Sequence, residues 1–250
     1  MRLIARLDVK NDHVIKGIHL EGLRRVGEPN EMARAYYQAG AHEILFMDAV
    51  ASLYDRNGLF HVIEQAVRDV FVPITVGGGL RSLDDVSAML NAGADKVAVN
   101  TAAVRDITIV SRMAERFGRQ CIVGSIEAKR NEVGGWGVYI DNGREPTGLD
   151  VIDWAKRLEA AGVGEILVTS VDQEGTRRGF DVPLAVALQG AVRCPIVVSG
   201  GYGKPAHLDA LLDRVMPSAV ACAAVLHYGQ ERVADIKAHI AARTRGQSHG

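Results

Sequence analysis

The sequence predicts an α/β protein, a closed (β/α)8 barrel of the TIM type built from two homologous half-barrels. Three observations lead there. Short β-branched runs alternate with amphipathic helical stretches along the chain. Eight such βα units fill the 250 residues, the size of one closed barrel. The chain also repeats itself. "GAHEILFMD" from Gly40 matches "GVGEILVTS" from Gly162, "ITVGGGL" from Ile74 matches "IVVSGGY" from Ile196, and "KVAVN" from Lys96 matches "SAVAC" from Ser218. Each pair is offset by 122 residues, close to half the chain. A doubly wound open sheet is the structural alternative, but two four-unit halves close one barrel more naturally than they form a sheet.

The strands predicted are Leu3–Asp8, Glu43–Asp48, Pro73–Val76, Lys96–Val99, Cys121–Glu127, Glu165–Ser170, Pro195–Ser199 and Ala219–Ala223. Helices are predicted between them at Pro29–Ala39, Gly58–Val70, Ser82–Ala92, Ile107–Phe117, Leu149–Ala161, Val182–Val192, Lys204–Asp213 and Gln230–Ala242. Ser82, ahead of Leu83-Asp84-Asp85, is a helix start signal. Residues 131–145 read as an extra hairpin after the fifth strand. The reading is a single domain over 1–250, with half-barrels at about 1–120 and 121–242 and a tail at 243–250.

With 48% hydrophobic and 24% charged residues, the composition suits one large soluble domain or two small ones. A formal net charge of −1 implies no overall attraction to nucleic acid or to a membrane surface. No apolar run reaches the ~20 residues of a membrane span. The start "MRLIARLDVK" is a strand pattern, not a signal peptide. Cys121, Cys194 and Cys222 lie in or beside apolar runs without metal spacing, and read as buried thiols of a cytoplasmic protein. The eight histidines, His239 and His249 among them, show no ligand spacing, so neither metal nor cofactor is expected.

Barrel chemistry sits at the C-terminal ends of the strands. There the second half places Ser199, Gly200 and Gly201, then Ala223 and Ala224; the first half places Gly78 and Gly79, then Asn100 and Thr101. Such glycines let backbone N–H groups approach an anion. Two symmetry-related sets predict a long substrate with a phosphate at each end; tight turns alone would also use glycine. "RLDVK" ends the first strand on Asp8, and "SIEAK" ends the fifth on Glu127. Those strands face each other across a barrel, so the two acids would flank the middle of the ligand as acid and base. The bland alternative is a rim salt bridge of Glu127 with Lys10 or Lys16.

Asp48, Asp172, Glu174 and Thr176 lie at or just after the ends of the second and sixth strands, where they bind substrate or close loops, and Gly175 among them joins the second phosphate set. "GIHLEGLRRVGE" between Lys16 and Pro29 reads as a mobile lid, with Lys16 a candidate for a phosphate or a developing negative charge. Arg2, Glu43, Lys96 and Glu165 start the first, second, fourth and sixth strands, at the opposite end of the barrel. They form either a structural salt-bridge layer or a polar gate to the barrel axis.

Several stretches together resemble one family over essentially the whole chain: "RLDVK", "VIKG", "GGGLRSLDDVSAMLNAGADKVAVNTAAV", "NGREPTGLDVIDWA" and "GEILVTSVDQEGTRRGFD". It is the family of cyclase subunits of imidazole glycerol phosphate synthase. The resemblance implies a separate glutaminase subunit docked on the barrel bottom. Ammonia then passes a charged gate, matched by Arg2, Glu43, Lys96 and Glu165. It reaches a bisphosphorylated phosphoribulosyl aminoimidazole carboxamide nucleotide, which closes and splits into imidazole glycerol phosphate and aminoimidazole carboxamide ribotide. Of the family's two catalytic aspartates, Asp8 matches the first and Glu127 replaces the second. Arg6 stands where the family usually has cysteine, the lid carries His19 and Arg25, and Ala224 replaces a serine. These departures leave two alternatives: a paralogue delivering ammonia for amidation of a surface-polysaccharide sugar, or a phosphosugar isomerase. The four gate residues argue against the isomerase, which needs no ammonia entrance.

Overall fold

The computed structural model describes residues 1–50 and 58–245; His249 and the end of the expected tail lie outside them. Eight parallel strands close into a barrel: β1 (Arg2–Lys10), β4 (Glu43–Asp48), β5 (Ile74–Gly77), β6 (Lys96–Val99), β7 (Ile122–Arg130), β10 (Glu165–Ser170), β11 (Ile196–Ser199) and β12 (Ala219–Cys222). They neighbour one another in chain order, and β12 returns to pair with β1. The closure removes the open-sheet alternative.

Helices α1 (Pro29–Gln38), α2 (Phe60–Ala66), α3 (Leu83–Asn91), α5 (Thr108–Phe117), α6 (Val151–Ala161), α7 (Val182–Ala191), α8 (Pro205–Leu212) and α10 (Val233–Arg245) correspond to those expected from the sequence. Two short helices were not anticipated: α4 (Thr101–Arg105) after β6 and α9 (Ala224–His227) after β12. They are too short to show a 3.6-residue period. No helix among the described residues is long and apolar enough to cross a membrane.

Strand alternation builds two separate interiors. On β1, Leu3, Ala5, Leu7 and Val9 point outward into the main core between strands and helices. Ile4 points inward and meets Leu45, Ala98, Val123, Leu167, Val197, Ala219 and Ala221 in a second apolar cluster on the barrel axis. Arg2, Arg6 and Asp8 share the inward phase of Ile4, so one strand carries charges below and above that apolar layer.

Two β insertions rise above the mouth. The segment read as a lid is an antiparallel hairpin, β2 (His13–Ile18) and β3 (Glu21–Gly27), paired to the end of β1. Its tip is a two-residue turn with His19 and Leu20 both at positive φ. That tip is fastened across the mouth, because His19 N–H donates to the Glu174 carbonyl at 2.8 Å. Gly175 is needed for the fit, since a Cβ there would lie 2.2 Å from the Gly17 carbonyl oxygen. After β7, strands β8 (Trp136–Ile140) and β9 (Glu145–Asp150) form a meander. It runs longer than the expected 131–145 hairpin and delays α6 to Val151, where the Asp150 carboxylate accepts from the N–H groups of Ile152 and Asp153. Helix α10 likewise starts at Val233 rather than Gln230 and runs to Arg245.

The expectation of three buried thiols needs correction. Only Cys222 is buried; Cys121 and Cys194 sit half-buried just ahead of β7 and β11, and all three are free.

Ser82 and Asp85 form a reciprocal capping box at the start of α3, with Ser82 Oγ accepting from Asp85 N–H at 3.1 Å. Ser82→Ala lowers the unfolding free energy by about 1 kcal/mol, read from the denaturant midpoint at unchanged slope.

Candidate active site

The barrel floor is a closed ring of opposite charges. Arg2 pairs with Glu43 at 2.6 Å and with Glu165, and Lys96 bridges the same two carboxylates at 3.0 Å each. Thr75 Oγ1 donates to the remaining Glu43 oxygen at 2.6 Å. All four predicted gate residues therefore meet in one cluster. Above them lies the apolar layer around Ile4 and Leu167, and above that the polar mouth.

At the mouth the two acids have unlike surroundings. Asp8 ends β1 with both oxygens held by cations: Arg6 Nε donates at 2.8 Å to Oδ1 and Lys16 Nζ at 3.1 Å to Oδ2. Lys16 also pairs with Glu174, and all three side chains are buried. Lys16 is therefore neither a solvated loop lysine nor the partner of Glu127. Burial pushes the Asp8 carboxyl up, but the Arg6 and Lys16 charges outweigh it and hold the group well below the usual carboxylate range.

Glu127 lies on β7, 9% exposed, and accepts the Gly143 N–H at 2.7 Å through Oε2. Burial pushes its carboxyl from 4.5 up to about 7. The Gly143 hydrogen bond and the Arg6 charge oppose the rise, and Asp141 and Asp8 add to it.

A cavity of about 370 Å³ opens beside Glu127. It is lined by Arg6, Ser125 and Asn142, and by four predicted phosphate residues: Gly78, Gly79, Asn100 and Thr101. Gly78 has φ 92°, and a Cβ there would lie 2.4 Å from the Asp48 carbonyl oxygen. The other predicted set, Gly175, Ser199, Gly200, Gly201, Ala223 and Ala224, lines a second, narrow cleft with Glu174. Both clefts open at the strand ends, one in each half of the barrel.

Other candidates serve the loops. Asp48 borders the large cavity while its carboxylate accepts from Val50 N–H at 3.0 Å and Gly58 N–H at 3.2 Å. Asp172 accepts the Arg130 N–H at 2.7 Å. Thr176 Oγ1 donates to the Gln173 carbonyl at 2.8 Å, which closes its own turn. Neither Asp172 nor Thr176 lines either cleft. Among the described residues no group of three or more His, Cys, Asp or Glu is arranged to hold a metal ion.

Sequence reasoning noted Arg6 only as an unusual residue. The signal for more was present: it sits two residues before Asp8 on a strand whose even-numbered positions face inward. Asn142 and Gly143 open the stretch "NGREPTGLDVIDWA", but their place at the mouth depends on how the meander folds back over it.

These features define a class: a two-fold-repeated (β/α)8 barrel enzyme with two carboxyls and two glycine-lined clefts at its mouth and a charged ring beneath. The sequence matches the family described as histidine biosynthesis protein over residues 2–232. It is 58% identical to the imidazole glycerol phosphate synthase subunit HisF of Legionella pneumophila over 204 residues, covering 82% of this chain and 96% of that one. It is 45% identical to the subunits of the same name from Dehalococcoides mccartyi and Trichormus variabilis, over 96% of this chain and 94% of each of those. The chain belongs to this family, the cyclase subunits of imidazole glycerol phosphate synthase, enzymes of histidine biosynthesis.

The raised Glu127 carboxyl sets a pH dependence of stability. A carboxyl whose folded value exceeds its unfolded one favours folding below the unfolded value, and that gain is lost as pH rises through the folded value. Here the window runs from 4.5 to about 7. Wild-type protein should lose on the order of 3 kcal/mol across it from this group, and Glu127→Gln should abolish that loss. Denaturant unfolding of both proteins at pH 5 and pH 8 reads the difference.

Proposed function

We propose that this chain uses ammonia from a separate glutaminase subunit to convert the bisphosphorylated phosphoribulosyl aminoimidazole carboxamide nucleotide to imidazole glycerol phosphate and aminoimidazole carboxamide ribotide. One observation carries the reading: two carboxyls end β1 and β7 at the mouth, a glycine-lined cleft opens in each half of the barrel, and the axis beneath is floored by four paired charges. An isomerase has no use for such a floor.

Ammonia enters at the ring of Arg2, Glu43, Lys96 and Glu165 when one ion pair opens. The apolar layer above passes a small neutral molecule more readily than a charged one, because a bare ion loses its hydration there. Backbone N–H groups at Gly78–Gly79 and Asn100–Thr101 bind one phosphate. Those at Gly175, Gly200–Gly201 and Ala223–Ala224 bind the other. Asp8 and Glu127 then serve the middle of the ligand as the acid–base pair.

The glutaminase subunit docks at the floor end. Phe71 and Met216 lie in the connections just ahead of β5 and β12, at that end, and are 74% and 38% exposed. Phe71 packs edge-on against Tyr37, with ring centroids 5.9 Å apart. Exposed aromatic and methionine side chains suit the apolar centre of a protein interface. A cytoplasmic location fits the three free thiols.

The test is ammonia-dependent turnover of the purified barrel, paired with complementation of a cyclase-deficient strain. Asp8→Asn and Glu127→Gln should each lower kcat by roughly 10²-fold or more. A wild-type barrel inactive at saturating ammonia, and unable to complement, overturns the reading. Phe71→Ala should weaken binding of the glutaminase subunit about tenfold, measured by titration calorimetry.

A further inference from the structure

The half-barrels place their acids at equivalent positions but surround them differently. In the first half Arg6 precedes Asp8 by two residues on the inner face of β1. In the second, Ser125 takes the same place before Glu127 on β7. Arg6 is 3% exposed. Its guanidinium spans the barrel, donating from Nε to Asp8 and from Nη1 to Thr169 Oγ1 on β10 at 2.7 Å and Ser199 Oγ on β11 at 3.2 Å. Three strands thus fix its position at the top of the apolar layer, at the edge of the large cavity.

We propose that Arg6 is a positioning residue that divides the work of the acid pair: it holds Asp8 as the resting carboxylate, the base of the pair, and leaves Glu127 to bring the exchangeable proton. The inference deepens the cyclase reading and rests on it. Both Asp8 oxygens are occupied by cationic donors, so protonating Asp8 means breaking a charge-assisted contact. Among the described residues the Glu127 carboxyl has a single hydrogen bond, from Gly143, and it borders the cavity. Its carboxyl, pushed up to about 7, is poised to give or take a proton at neutral pH.

The groups acting on the pair come from every side. Around Asp8 stand Arg6 of its own strand, Lys16 of β2, Glu174 of the loop after β10, Glu127 of β7 and His227 of α9. Burial lowers His227 to about 4, so it stays neutral through the working range. Around Glu127 stand Arg6, Asp8 and Asp141. Arg6 is the charge common to both acids. Without it Asp8 loses one of its two cations, and Glu127 loses the cation that restrains its rise.

The experiment follows both carboxyls by NMR titration of protein labelled with carbon-13 at the Asp and Glu carboxyl groups. Glu127 is assigned by its absence in Glu127→Gln and Asp8 by its absence in Asp8→Asn. In the wild type, Glu127 should titrate near neutrality while Asp8 stays ionised down to the onset of acid unfolding. In Arg6→Gln the Glu127 midpoint should rise by about half a pH unit or more, and Asp8 should begin to titrate. Ammonia-dependent kcat, corrected for free ammonia, should fall by roughly 10²-fold with KM changed much less. Arg6→Lys should restore the Glu127 midpoint but only part of kcat, because an ammonium group lacks the planar fork.

A Glu127 that stays ionised through pH 5 in the wild type overturns the proposal. So does Arg6→Gln with both titrations unmoved. If Arg6→Gln does not fold, Arg6→Lys decides: full retention of kcat in that variant overturns the proposal. The carboxyl readout needs no turnover, so a barrel with no cyclase activity fails the functional reading without touching the assignment of Arg6.

Discussion

A charge on the inner face of a closed barrel must find its partner inside the barrel. Closure leaves no sheet edge and little water, and an unpaired ion there costs several kcal/mol. The chain nonetheless carries ionic groups on the inward face of β1 at Arg2, Arg6 and Asp8. Each is answered from another strand or loop: Arg2 by Glu43 and Glu165, Asp8 by Lys16, and Arg6 by Thr169 and Ser199 as well as by Asp8. The polar interior is thus two separate networks, a ring at the floor and a cluster at the mouth. The apolar layer of Ile4, Leu45, Val123 and Leu167 lies between them.

That separation has a chemical consequence. The floor ring is closed on itself, each cation bridging the same two carboxylates. The mouth cluster is tied to the hairpin of β2 and β3 through Lys16, and the hairpin tip is tied to the loop after β10 through His19. The segment that covers the first acid is therefore also the one that neutralises it. Meander β8–β9 plays the matching part for the second acid but supplies only a backbone N–H, from Gly143. One insertion brings a cation and the other brings a dipole, and the two carboxyls diverge accordingly.

Much of this was legible in the sequence. The 122-residue repeat fixed the closed barrel, because three matched strand ends at one offset leave little room for another topology. The starts and ends of the predicted strands placed the four floor residues and the two acids at opposite ends of the barrel. Contacts across long sequence separations were not legible. Nothing local to Lys16 indicates that it lies between Asp8 and Glu174, 8 and 158 residues away. Short helices α4 and α9 carry no period to read. Asp172 and Thr176 lie near a strand end, where the first accepts from the Arg130 N–H at the end of β7 and the second closes its own turn, partners that the sequence does not reveal.

Arg6 is the clearest case of information lying in a pairing rather than in a residue. Alone, an arginine inside an apolar strand is an anomaly that burial should disfavour. Two residues before an inward carboxylate, it becomes the means of keeping that carboxylate charged in a dry place. The same neighbourhood explains why Glu127 is free to be the weaker acid. A second cation beside it would lower both carboxyls together and leave no group able to hold a proton at neutral pH. With Ser125 in the equivalent place, the barrel keeps its two-fold backbone and breaks its two-fold charge. A reaction that needs one group charged and another protonated at the same moment requires that asymmetry.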